Sequence, residues 1–368
     1  MSEKNKSRNT NIELVRIIAM LFIIMGHFVG QTNFNQDSTS VNGILITLLS
    51  CGARIFTNVF LIIGVWFMVD SRFGAKKILK LWSNVFFYSF ILTTLMLVLK
   101  VPVSMKDIGR GYLPFLGRGL WFASAYITLM FAAPFLNFVF NLKRRQQEVL
   151  IFISFFTICI VSTIPDSQEG SYIADSLWFW FVYIFVGYYK KEIYSKKFDN
   201  LRKFKYLSFL LACLIYVCLC FGSLLGGLKN GTNGLFHAIQ MISVQYINNI
   251  RTLPNILCAF LIFNFAILCK EHSVKLIQKA AISAFSVYIV HQVPAFFMFL
   301  WINIYKADSF KSEKWSFVYM IFVALSLYIG VSILDILRRF LEKGWCECRL
   351  CKAICEKIDN VYRKAEVL

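Results

Sequence analysis

Apolar runs of about twenty residues recur along the whole chain, each long enough to cross a hydrocarbon layer roughly 30 Å thick. They fall at about 11–30, 43–69, 79–99, 119–140, 149–164, 172–189, 204–224, 252–269, 281–303 and 316–337. In lipid every backbone polar group must be satisfied within the protein, so runs of this length fold as helices. The expected fold is all-α: a polytopic membrane helix bundle of about ten transmembrane helices with both termini cytoplasmic. The charges support that topology. With the N-terminus inside, 28 of the 39 Lys and Arg residues lie in inner segments and 9 in outer ones. Arg16 and Arg54, inside spans, make up the rest. That asymmetry follows the positive-inside rule. It also accounts for the net charge of +19 without a nucleic-acid partner. Residues 1–10 read as a basic cytoplasmic leader, 11–338 as one membrane domain and 339–368 as a basic, Cys-rich cytoplasmic tail. The first run is too long for a cleaved signal peptide and reads as a signal anchor of a multi-pass plasma-membrane protein.

The first span carries Glu13, Arg16 and His27. A charge within a span costs roughly 2.5–3.5 kcal/mol on insertion scales, so it needs a partner or a wet cavity. Eleven residues advance a helix by about 1100°, roughly 20° past three turns, which puts Arg16 and His27 on one stripe about 16 Å apart. Glu13 precedes Arg16 by three residues, the helical spacing for an ion pair. His291, preceded by Ser283, Ser286 and Tyr288, falls near the middle of the ninth span, and two histidines at depth point to an internal polar site. Arg54 has two readings: a side chain snorkelling outward, or part of that site. Lys76 and Lys80 share a helix face, as a plain topogenic cluster or as a seat for the phosphates of a cytosolic anionic donor. The outer loop 100–118, with Lys100, Lys106, Arg110 and Arg118, breaks the inside rule. It suits an anionic acceptor such as a lipid-linked phosphate. Trp121 and Tyr126 read alone as interfacial belt residues, and Pro134 kinks the span they share.

Cys346, Cys348, Cys351 and Cys355 cluster in the tail. Their spacing fits no zinc pattern well, and three of them share a face if the tail is helical. No metal is expected. His237 and His272 read as incidental, and Asn230-Gly231-Thr232 is a weak glycosylation match. The chain has no P-loop, nucleophile elbow, H-E-x-x-H or dinucleotide fingerprint.

Taken in order, these residues resemble the acyltransferase-3 family of bacterial integral-membrane enzymes. The features are Arg16 and His27 with ten residues between them on the first span, with Glu13 where Asp is commoner, and Asn58, Phe60 and Gly64 on the second. Ile63 and Val65 depart from that second pattern. Leu120, Trp121, Phe122, Tyr126 and Pro134 follow on the fourth, then Gly187 to Lys190. The stretch Ala284-Phe285-Ser286-Val287-Tyr288-Ile289-Val290-His291 completes the set. The resemblance implies a cytosolic acyl-CoA donor, usually acetyl-CoA, no bound cofactor, and a sugar hydroxyl of a cell-envelope glycan or lipid-linked saccharide as acceptor. It implies His27 as base or acyl carrier, Arg16 oriented by Glu13 for donor binding, and His291 as a second polar group at the thioester. Substrate contacts are expected at Arg54, Asn58, Trp121, Tyr126, Tyr288, Lys76, Lys80 and Arg118. A transporter or lipid-linked glycan flippase would use the same intramembrane polar residues, though no inverted repeat is visible. A structural protein with a buried Arg16–Glu13 pair is the third reading.

Overall fold

The computed structural model describes residues 9–32, 40–115, 119–163, 172–228, 246–310, 312–346 and 348–365, with Gly234, Ile239 and Ser243. Every element among them is helical. The main helices are α1 (Thr10–Thr32), α2 (Val41–Ser50), α3 (Ala53–Met68), α4 (Ala75–Val98), α5 (Met105–Tyr112), α6 (Trp121–Leu136), α7 (Arg144–Ser154) and α8 (Tyr172–Tyr188). They continue as α9 (Lys205–Leu228), α10 (Leu253–Leu268), α11 (Lys275–Ala281), α12 (Ala284–Val290), α13 (Pro294–Met298), α14 (Ser316–Cys346) and α15 (Arg349–Lys364).

All ten expected apolar runs fall on helices. Among the described residues seven stretches are long and apolar enough to cross a membrane: Thr10–Gly30, Val41–Met68, Ala75–Val98, Trp121–Asn141, Arg144–Thr163, Lys205–Leu225 and Ser316–Glu342. The runs at α8 and α10 form helices of 17 and 16 residues. The ninth run is not one continuous helix. Lys275–Val290 and Pro294–Ile304 meet at 90°. Pro294 opens the second piece, and Val293 before it is extended at φ −60°, ψ 119°. Proline has no N–H to continue the ladder and drives its predecessor out of the α region. His291 therefore sits at the end of a half-helix rather than midway along a span.

Helix α1 is the axle, packed against α2, α3, α10, α11, α12 and α14. Its approach to α3 is closest at Gly26, where an added Cβ would lie 2.2 Å from the Cβ of Ala53. Small residues at such crossings let backbones meet, which matters in lipid, where van der Waals packing replaces the hydrophobic drive between helices. Behind α12, the carboxylate of Asp335 on α14 accepts from Ser283 (2.9 Å), Ser286 (2.6 Å) and Arg338 Nε (2.7 Å). Arg338 also donates to Glu342 at 2.8 Å, and Tyr88 of α4 reaches Asp335 at 3.3 Å. This buried network clamps the half-helix α12 between α4 and α14.

Gly26→Ala is expected to destabilise the protein by about 1–3 kcal/mol, the usual cost of overpacking. The check is a lowered melting temperature of the purified protein in detergent.

Candidate functional site

The stripe Arg16, Met20, Ile23 and His27 runs along α1 at alternating steps of four and three residues. Its upper part borders a small cavity. Met20, Ile23 and His27 form one wall, Arg54, Thr57 and Phe60 of α3 another, and Trp121, Phe122 and Tyr288 close it. Arg54 thus faces inward, toward the site, rather than snorkelling outward. Asp175 on the first turn of α8 is near enough to act on its charge.

The half-helix α12 brings His291 to His27, ring centroids 5.4 Å apart and planes tilted by 53°. His291 Nδ1 lies 2.6 Å from the Val287 carbonyl. A carbonyl can only accept, so Nδ1 carries the proton and, in the neutral ring, Nε2 keeps its lone pair. That Nε2 is buried without a hydrogen-bond partner, as is the Tyr288 hydroxyl on the cavity wall. Buried polar atoms are almost always paired, so an orphaned hydroxyl on the cavity wall and an orphaned ring nitrogen next to His27 mark a place built to receive polar atoms. His27 borders the same space, and among the described residues no hydrogen bond occupies its ring.

Lower on the stripe, Arg16 Nη1 donates to Glu13 Oε2 at 2.6 Å, and its guanidinium carbon lies 5.9 Å from the Phe67 ring centre. Tyr126 stands beside Arg16, close enough to feel its charge, and rests on Gly64, where a Cβ would come within 2.7 Å of its hydroxyl. Tyr126 also stacks beside Phe122, ring centroids 6.2 Å apart. An aromatic wall on α6 therefore runs from the Arg16 level to the cavity.

A family model described as an acyltransferase domain, acyltransferase-3, matches residues 9–335. The chain belongs to the acyltransferase-3 family. No curated protein and no solved structure matches it.

In this acyltransferase-3 chain the expected site residues fall into three groups. His27, Arg54, Trp121 and Tyr288 border the cavity, His291 lies against His27, and Arg16, Glu13 and Tyr126 lie below them. Asn58 is occupied elsewhere. Its amide donates to the Ile250 carbonyl at 2.7 Å and accepts from Trp178 Nε1 at 3.0 Å, wholly buried, so it ties α3 to α8 and to the turn before α10. Lys76 and Lys80 are exposed on the first turns of α4. The cavity near them is bordered by Arg72 and Lys77 instead. Arg118, His237 and the 230–232 sequence lie outside the described residues. In the tail, the Cys348 sulfur accepts from the Cys351 N–H at 3.4 Å as a helix cap, while Cys351 and Cys355 pack inward; the Cys346 side chain is not among those described. Asp335 and Arg338 are what sequence reading missed. The signal was available: an Asp, two Arg and a Glu at helical spacing at the C-terminal end of the last span.

Asn58→Ala would leave the Trp178 N–H and the Ile250 carbonyl unpaired in the interior, costing about 1–3 kcal/mol. Folded yield and melting temperature are expected to fall, with the KM for donor unchanged in the protein that folds.

Proposed function

We propose that this protein moves an acyl group, acetyl foremost, from cytosolic acyl-CoA to a hydroxyl of a cell-envelope glycan or lipid-linked saccharide. The observation that carries the reading is the pair of histidine rings, 5.4 Å apart, the first of them bordering a cavity, in a chain of the acyltransferase-3 family. Histidine is the side chain best suited to take a proton near neutral pH. His27 removes the proton of the acceptor hydroxyl. The oxygen attacks the thioester carbonyl, and the carbon–sulfur bond breaks. The acyl ester forms, and the thiolate leaves as free CoA after taking the proton back from His27.

Negative charge develops on the thioester oxygen during this step, and donors aimed at it lower the barrier. Arg54 and the unpartnered Tyr288 hydroxyl border the same cavity and fit that role. His291 Nε2, an acceptor without a partner, holds the incoming hydroxyl or relays its proton. Arg16 sits about three turns from His27 along α1, too far for the same atom. Its role is to hold the donor's polar groups along the aromatic wall, with Glu13 fixing its orientation.

Thiol release from acetyl-CoA by the purified protein, with envelope glycan extract as acceptor, tests the reading. Wild type is expected to release free CoA in step with ester formed. His27→Ala is expected to lower the rate about 10²–10⁴-fold at unchanged expression. Full activity in that variant would remove His27 from the chemistry. Substrate flux across vesicles without CoA release would favour transport instead.

A further inference from the structure

Helix α15 lies beyond the residues that the family model matches, yet it is docked with care. Its inward stripe is Cys351, Cys355, Asp359 and Tyr362, spaced four, four and three residues apart. Asp359 Oδ1 accepts the Ala75 N–H at 2.9 Å, at the start of α4. The residue before, Gly74, has no side chain to cap that end, so a tail carboxylate caps it from outside. Tyr362 stacks on Phe73, centroids 4.0 Å apart and planes 15° apart, and lies beside Phe135 at 5.7 Å. Its hydroxyl donates to the Phe131 carbonyl at 2.9 Å, one turn before the Pro134 kink.

These three contacts fix the next residue. Arg363 borders a solvent-open cavity of about 1410 Å³ together with Arg72, Lys77 and the apolar edge Met130, Ala133 and Pro134 of α6. This cavity opens at the Arg16 end of the bundle, since Phe67, beside Arg16, leads directly into its rim at Met68. Its one carboxylate, Asp70, is held by Lys190 at 2.6 Å, so the lining keeps an excess of positive charge. Lys77 Nζ donates to Ser71 Oγ and to the Arg72 carbonyl at 2.6 and 2.7 Å, which shapes the 71–74 turn. Among the described residues neither Arg72 nor Arg363 has an acidic partner.

We propose that α15 completes a polyphosphate site at the donor entrance, with Arg363 binding phosphate oxygens of the acyl-CoA nucleotide opposite Arg72 and Lys77. Guanidinium–phosphate contact is short, often bidentate and charge-assisted. The inference rests on the donor named above, and it gives the tail a binding role that the matched domain alone would lack.

The test measures CoA binding directly and the KM for acetyl-CoA in thiol release, on the full chain in lipid nanodiscs. Wild type, Arg363→Ala, Arg363→Lys and Lys357→Ala are compared, the last an exposed α15 charge that does not border the cavity. Arg363→Ala is expected to weaken CoA binding and raise KM about tenfold, one charge-assisted hydrogen bond's worth, with kcat unchanged. Arg363→Lys should recover most of the loss, Lys357→Ala should match wild type, and the salt dependence of binding should flatten only in Arg363→Ala. Equal CoA binding by wild type and Arg363→Ala overturns the inference and leaves acyl transfer standing. Weaker CoA binding in the variant without turnover by wild type keeps the site and removes the reaction. Wild type that binds no CoA removes both. An Arg363 effect seen only in discs containing anionic lipid would assign the side chain to lipid headgroups and overturn the proposal.

Discussion

The structure depends on how charge is neutralised inside an apolar bundle. An unpaired ion in a span is costly, and the desolvation penalty is offset only by close, well-formed partners. The chain meets this in two ways. Glu13 and Arg16 pair within one turn of α1, so the two charges offset each other on a single helix. Asp335 instead collects Ser283, Ser286 and Arg338 across two helices, and its neutralisation doubles as the clamp on α12. Arg54 is treated differently: it borders the cavity that His27 also borders, with Asp175 near enough to act on its charge.

The broken ninth span makes the site possible. A straight helix would pass its polar residues through the bundle at a fixed depth. Ending it at His291 lets the ring hydrogen-bond its own last turn through Nδ1 and present Nε2 beside His27. The serines held by Asp335 and the ring of His291 belong to the same short helix α12 and its two caps. The rigidity of one therefore sets the geometry of the other.

Much of this was legible in the sequence, for physical reasons that differ by residue. The α1 stripe could be read because helical period alone places Arg16 and His27 together. The apolar runs could be read because membrane thickness fixes their length. The break at Val293–Pro294 was half visible: the proline was plain, but proline kinks many spans without ending them, and only packing decides. Asn58 stands out because it fits the family's second-span pattern, yet it bridges helices, which no single sequence reveals. Lys76 and Lys80 share a face, but the rim at their end is bordered by Lys77 and Arg72, since the 71–74 turn and the docked tail decide which side of α4 faces the cavity. Arg363 could not be foreseen, because its position depends on three contacts made by neighbouring residues with helices far away in the chain.

The pairing of His27 with His291 also has a meaning for biogenesis. At synthesis rates of 5–20 residues per second, the second ring emerges about 260 residues, roughly 13–50 s, after the first. Glu13 and Arg16, three residues apart on α1, need no later helix to come within reach of each other, whereas the two rings meet only when the ninth run has been made.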